Sequence, residues 1–195
     1  MGNVDEAGYD LLKGGQWKQS GYSLSTIRKE DIELVRIWRN EQMDGLRQSA
    51  PISKDNQIDY FNNFVFNDFT NLTPQQILLR YSFNDDLIGY GGIVHLDWCV
   101  KKGEVSFLLE PSRTLEPKSY CEEFAVFLKL IKSLAFKSLG LNKLTTEAYA
   151  HRSHHVAAIE SAGFTREGIL REHAKVDGEW VDAVLSSCLQ SEYFR

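Results

Sequence analysis

The spacing of apolar residues changes period several times along the chain, and each change marks an element. Tyr22 to Ile27 alternates as a first strand, after which Glu30 and Asp31 open a helix whose apolar positions Ile32, Val35 and Trp38 recur at helical spacing and which ends near Asn40. Glu41 to Ile52 reads as an irregular loop. Ser53 then fits the N-cap of a second helix that buries Ile58, Phe61, Phe64 and Val65 and closes before Asn71. In the middle the period falls to two: Gln76 to Phe83, a polar turn at Asn84-Asp85-Asp86, Leu87 to Trp98, and Glu104 to Leu109. The longest helix runs from Lys118 to Ser138, with Phe124, Phe127, Leu128, Ile131, Leu134 and Ala135 on one face and Gly140 as its stop. Lys143 to Tyr149 reads as a strand and His154 to Ser161 as a short helix stopped by Gly163. Ile169 to Val176 pairs with Glu179 to Cys188 across Asp177-Gly178, a dipeptide suited to the two-residue turns whose central residues both need positive φ. Residues 1–20 carry Gly14-Gly15 and little periodicity, so they are expected to be a loosely packed leader to a single domain over 21–195.

Composition narrows the class. A chain of 195 residues with 43% apolar content can bury a substantial core within one domain. Twenty-two basic against 27 acidic residues give a net charge of −5, and no dense Lys/Arg run offers a phosphate-tracking surface, so nucleic acid is not an expected partner. Cys99, Cys121 and Cys188 are widely spaced and form no CxxC pair, which predicts neither a disulfide framework nor a zinc knuckle and fits a reducing cytoplasm. Acidic residues near the start, the lack of an apolar run of signal-peptide or membrane-spanning length, and Glu6 where myristoylation would need Ser or Thr all leave membrane attachment unexpected. His151 and His155 would share a helix face, but Arg152 between them adds repulsion and no acidic third ligand stands at a defined spacing. No metal is expected there.

The runs LIGYGGIVHLDW, GEVSFLLEP, LAFKSLGLNKL and AAIESAGFTREGILREHAKVDGEWVDAVLSS, with IWRN at Ile37 to Asn40 and PISKDNQIDYF after it, resemble the GCN5-related N-acetyltransferase superfamily. The branch most similar is that of ribosomal-protein alanine and amino-sugar acetyltransferases. The resemblance spans about Tyr22 to Tyr193. It implies an α/β (α+β) fold with a central mixed, mostly antiparallel sheet, in which two neighbouring parallel strands splay apart to grip the pantetheine arm of acetyl-CoA. Here those strands would be Glu104 to Leu109 and Lys143 to Tyr149, with Phe107, Leu108 and Leu109 offering main-chain N–H groups to the thioester oxygen.

In such proteins a glycine-rich loop opens the long helix and wraps the CoA pyrophosphate with backbone amides. This chain reads SRTLEPKSYCEEF there, with no glycine between Gly103 and Gly140, and Glu116, Glu122 and Glu123 would repel a diphosphate. The resemblance therefore shifts phosphate binding to Arg113 and Lys118 by charge and to Ser119 through its hydroxyl. Arg152 and His155 stand where the family commonly has Asn-x-x-Ser, and Ile159 stands where other members carry a tyrosine that protonates the CoA thiolate. His155 is the expected replacement acid, with Tyr149 and Tyr120 behind it. Glu104 is the expected base for the acceptor ammonium, followed by Glu147, His95 and Asp97. The resemblance places the acceptor between the first helices and the closing hairpin, which singles out Arg39, Asn40, Arg47 and Trp180, with Trp38 continuing the buried stripe. The implied activity is direct acetyl transfer from acetyl-CoA to a primary amine of a small metabolite, an amino sugar among them, by a monomer or homodimer. Acetylation of a protein N-terminus is one alternative, and a non-catalytic domain that binds acyl-CoA or a partner is another.

Overall fold

The computed structural model describes residues 8–13, 15–46 and 48–195; Arg47, singled out above, lies outside them. Among the described residues eight strands form one sheet: β1 (Trp17–Gln19), β2 (Tyr22–Thr26), β3 (Ile77–Phe83), β4 (Asp86–Asp97), β5 (Lys102–Leu109), β6 (Lys143–Tyr149), β7 (Thr165–Val176) and β8 (Glu179–Leu189). Their order is β1-β2-β3-β4-β5-β6-β8-β7. All neighbours are antiparallel except β5 and β6, the parallel pair that the resemblance implies. The helices are α1 (Ile32–Glu41), α2 (Lys54–Tyr60), α3 (Pro117–Ser133), α4 (Ser153–Ser161) and the short α5 (Gln190–Tyr193).

Strand alternation decides which helices cover which face. The Tyr90 hydroxyl accepts from Arg39 on α1, whereas a Cβ at the next residue, Gly91, would lie 2.9 Å from the Phe127 ring on α3. One face thus meets α1 and the other meets α3. On the α3 side, Phe107 is the hub of an aromatic cluster, 4.6 Å from Phe124 and 4.5 Å from Phe127 between ring centroids. Phe127, Leu128 and Ile131 are fully buried, each contributing about 1.5–3 kcal/mol relative to an exposed side chain. α3 runs on through a wider turn at Leu134–Ser138 and stops at Gly140, whose φ of 62° suits a residue without a Cβ.

The leader differs from expectation. Its described residues are packed: Tyr9, Leu12 and Trp17 belong to the core, the Tyr9 hydroxyl accepts from Leu78 N at 3.0 Å, and β1 forms the sheet edge against β2. Three aromatic or aliphatic residues spread over nine positions have no readable period, so only the tertiary fold reveals their burial. Asp177 and Gly178 do turn the β7–β8 hairpin, both with positive φ (51° and 87°).

Candidate active site

Beyond their first residues β5 and β6 part company. They pair only at Lys102↔Lys143, Gly103↔Leu144 and Glu104↔Thr145, while β5 stays on β4 through Leu109 and β6 stays on β8 through Tyr149. The opening holds a cavity of about 320 Å³ bordered by Val105, Phe107, Thr146 and Glu147, and by Arg152 and His155 at the start of α4. A larger cavity, about 1120 Å³, lies between α1, α2, the segment after α2 and the other sheet face. Arg39, Val94, His95 and Ser106 border both, so the two adjoin at these residues.

The main chain of β5 can be assigned side by side. A Cβ on Gly91 or Gly89 would stand 2.2 Å from the Ser106 carbonyl or 2.6 Å from that of Leu108, so those residues turn their polar groups to β4. By alternation Val105, Phe107 and Leu109 turn theirs to the opening. The Leu109 carbonyl is taken by Gln42 Nε2 at 2.8 Å. Of the three residues named for the thioester, Phe107 fits best, and the Leu108 main chain faces away.

Glu104 occupies the last paired position of β5, with Oε2 3.2 Å from His95 Nδ1. His95 stands where the β4–β5 register breaks, with φ 50°, and this irregularity aims the imidazole at the junction of the two cavities. Glu147, on the opposite wall, pairs with His173 Nε2 at 3.2 Å. Deeper in, His155 stacks on Phe124 with centroids 4.4 Å apart and planes 10° from parallel. Its Nδ1 is 2.6 Å from the Tyr120 hydroxyl, which Arg152 Nη2 approaches at 3.4 Å. Burial first, then the charges of Arg152 and His154, pushes the His155 pKa down to about 3. The ring is therefore neutral at physiological pH and carries no imidazolium proton to give, which corrects the simple picture of His155 as a charged acid. Burial raises Tyr120 to about 12.

The segment before α3 also departs from expectation. Arg113 is committed to acidic neighbours, with Nη1 2.5 Å from Glu123 Oε1 and Nε 3.4 Å from Glu110 Oε2. Glu116 is the N-cap of α3, and its carboxylate accepts from Lys118 N at 3.0 Å and Ser119 N at 2.6 Å. The amides that would meet a pyrophosphate are thus held by the chain's own carboxylate, and the Lys118 side chain is left exposed beside them. Pro117 at the first helical position after an acidic residue was the readable signal for this cap. The opening offers β5 main-chain groups that would suit the acyl end of acetyl-CoA; at the diphosphate end Glu116 would have to yield or Lys118 to serve.

On the acceptor side, Arg39 borders both cavities and donates to Tyr90 Oη at 2.7 Å and Gln48 Oε1 at 3.2 Å. Asn40 is structural: its amide bonds both the carbonyl and the N–H of Ile52, at 2.9 and 2.8 Å, and so fastens the loop to α1. Trp180 borders neither cavity. It is 59% exposed on the β7–β8 hairpin, with Lys175 Nζ 4.9 Å from its ring centroid. Sequence reasoning missed the side-chain amides of the larger cavity, Asn56, Asn63, Asn67, Gln75 and Gln76 among them, because isolated Asn and Gln read as solvent-facing or turn residues. Among the described residues no group of three or more His, Cys, Asp or Glu is placed to hold a metal, and no helix is long and apolar enough to cross a membrane.

A mixed sheet opened between two parallel strands, with main-chain groups and proton-carrying side chains around the opening, defines an acyltransferase that draws on a CoA thioester. Comparison with known proteins agrees. The model of the acetyltransferase (GNAT) domain matches residues 24–185, and the chain belongs to that family. An uncharacterised N-acetyltransferase p20 of Bacillus licheniformis is 24% identical over 176 residues, which cover 86% of this chain and 94% of that protein. A crystal structure of spermidine N-acetyltransferase from Vibrio cholerae in complex with CoA and spermine superimposes with a TM-score of 0.78 at 18% identity, covering 91% of this chain and all of that one. A dodecameric structure of the Vibrio cholerae enzyme in an intermediate state gives 0.77 at 17% identity, over 91% of this chain and 98% of that one. The protein is a GNAT N-acetyltransferase with acetyl-CoA as its co-substrate.

Proposed function

We propose that the acceptor is a small, hydroxyl-rich primary amine of the amino-sugar kind, bound in the larger cavity with its amine at the junction between the two. The observation that carries this reading is the lining. Side-chain amides are the most numerous of its polar side chains, and Asp68 is the one carboxylate among its described residues. Asp68 itself accepts from Asn71 Nδ2 at 3.0 Å and from Gln75 N at 3.3 Å. Amides pair with hydroxyls in either sense, as donor or acceptor. A polyamine with several cationic centres would need several carboxylates, and Arg39 at the junction would repel it.

In this reading the His95–Glu104 pair removes the proton. Glu104 fixes the tautomer and orientation of His95, and Nε2 of that ring takes the ammonium proton, directly or through one water. The freed amine attacks the acyl carbon, and main-chain N–H groups on the Val105 and Phe107 side of β5 receive the developing negative charge on oxygen. The test is a panel of glucosamine, spermidine and an alanyl peptide with acetyl-CoA, scored by kcat/KM. Glucosamine should lead. Spermidine or the peptide in front would refute the acceptor assignment. On the preferred amine Glu104→Gln and His95→Asn should each lower kcat by roughly 10²-fold and flatten the acidic limb of the pH profile.

A further inference from the structure

The Tyr120–His155 pair points to the fate of the leaving group. We infer that Tyr120 and His155 form a two-residue proton relay to the departing sulfur of CoA, doing from α3 and α4 together what a tyrosine at position 159 would do alone. The inference rests on acetyl transfer taking place in the smaller cavity. Ile159 borders that cavity and has no proton to give. His155 borders it too, whereas Tyr120 does not and is 4% exposed. The tyrosine can therefore reach the reaction only through the histidine. Their bond is 2.6 Å long, and the stack of His155 on Phe124 holds the ring in that plane. Among the described residues Nε2 of His155 has no hydrogen-bond partner, so it is the ring nitrogen available to the cavity.

A neutral imidazole cannot act as an acid by itself without becoming an anion, but it can pass a proton from one nitrogen to the other. As the bond between the acyl carbon and sulfur breaks, its electron pair goes to sulfur, which takes the Nε2 proton while Nδ1 takes the phenolic proton of Tyr120. The ring ends neutral. The charge rests on the Tyr120 oxygen, 3.4 Å from Arg152 Nη2, until the relay runs back, Nδ1 returning its proton to Tyr120 while Nε2 takes one from water in the cavity. Burial raises the basicity of a departing thiolate as it raises that of a phenolate, so desolvation of the sulfur works in favour of the transfer. The titratable and charged groups around the relay are Tyr120 and Cys121 on α3, Arg152 and His154 beside His155, and Glu147 and Tyr149 across the cavity on β6. Arg152 disfavours imidazolium and favours phenolate, so it acts on both members in the sense that the relay needs.

Two measurements decide the matter. Long-range ¹H–¹⁵N spectra of the full chain, free and with CoA, should show His155 as the neutral Nε2–H tautomer between pH 5 and 9, and Tyr120→Phe should move it toward the other tautomer. An Nδ1–H tautomer or an imidazolium in the parent would overturn the relay, whichever amine is the substrate. With the best amine of the panel, Tyr120→Phe and His155→Gln should each lower kcat by about 10²-fold with little change in acetyl-CoA affinity, and the double variant should be no slower than either. Tyr120→Phe turning over at the parent rate would overturn the relay as well. A parent that acetylates none of the three amines would refute the acceptor reading alone, and the spectra would still decide the relay.

Discussion

The opening between β5 and β6 depends on how closely β4 approaches β5, and Gly91 is the place to test this. It stands opposite Phe107 in the register. A methyl group there would lie 2.2 Å from the Ser106 carbonyl oxygen, 2.9 Å from Phe107 Cα and 2.9 Å from Phe127 Cζ. Two of these neighbours are backbone atoms that no rotamer change can move, and the third belongs to a fully buried ring. Gly91→Ala should therefore cost roughly 2–3 kcal/mol, the upper part of the range for overpacked cores. For a chain of this size that corresponds to a melting temperature lower by roughly 4–12 °C. The strain can be relieved by pushing Ser106 and Phe107 away from β4, into the opening, so acetyl-CoA should also bind more weakly. Differential scanning fluorimetry and calorimetric titration with acetyl-CoA give the two readouts. Gly168→Ala is the control, because a Cβ at that β7 position meets nothing within 4 Å, and it should stay within about 0.5 kcal/mol of the parent. A Gly91→Ala protein that melts with the parent and binds acetyl-CoA equally well would refute the claim that β4 sets the geometry of the site.

Glu116→Gln should tighten acetyl-CoA binding while lowering the melting temperature, since it removes a negative charge from the α3 N-terminus and weakens the cap; unchanged affinity in titration would show that no diphosphate comes near it. The Glu116 pKa is lowered by the bond from the Ser119 amide and then by that from Lys118, so its contribution to stability is present above the ordinary carboxylate pKa and is lost as pH falls through the lowered folded value. Acid denaturation of Glu116→Gln should lack that component. Arg113→Ala should reduce thermal stability by leaving the buried Glu123 without its cationic partner, yet keep acetyl-CoA affinity; a large loss of affinity would mean that Arg113 leaves Glu123 when the co-substrate binds. Trp180→Ala should leave kcat/KM for every amine of the panel unchanged, because the side chain borders neither cavity.

Local patterns in the sequence were enough to find most of the elements, though not the edge strand β1 or the short α5. The helical stripe of Phe124, Phe127, Leu128 and Ile131, the alternation from Gln76 to Leu109 and the Asp177-Gly178 turn each depend on a few neighbouring residues, and the long runs they mark resemble one family closely enough to name the parallel pair in advance. The packing of Tyr9 and Trp17 was not legible, because burial there is given by strands far along the chain. The chemistry lay further out of reach. Whether Arg113 meets a phosphate or Glu123, whether Glu116 repels a ligand or caps its own helix, and whether His155 is charged all depend on which side chains lie within about 4 Å, where Coulomb and hydrogen-bond energies are decided. Tyr120 and His155 are 35 residues apart in the chain and 2.6 Å apart in space. The sequence by itself determined which residues could carry protons and where most strands and helices would form; the tertiary structure alone decided which of those residues meet, because desolvation and short-range contact follow from packing and not from order along the chain.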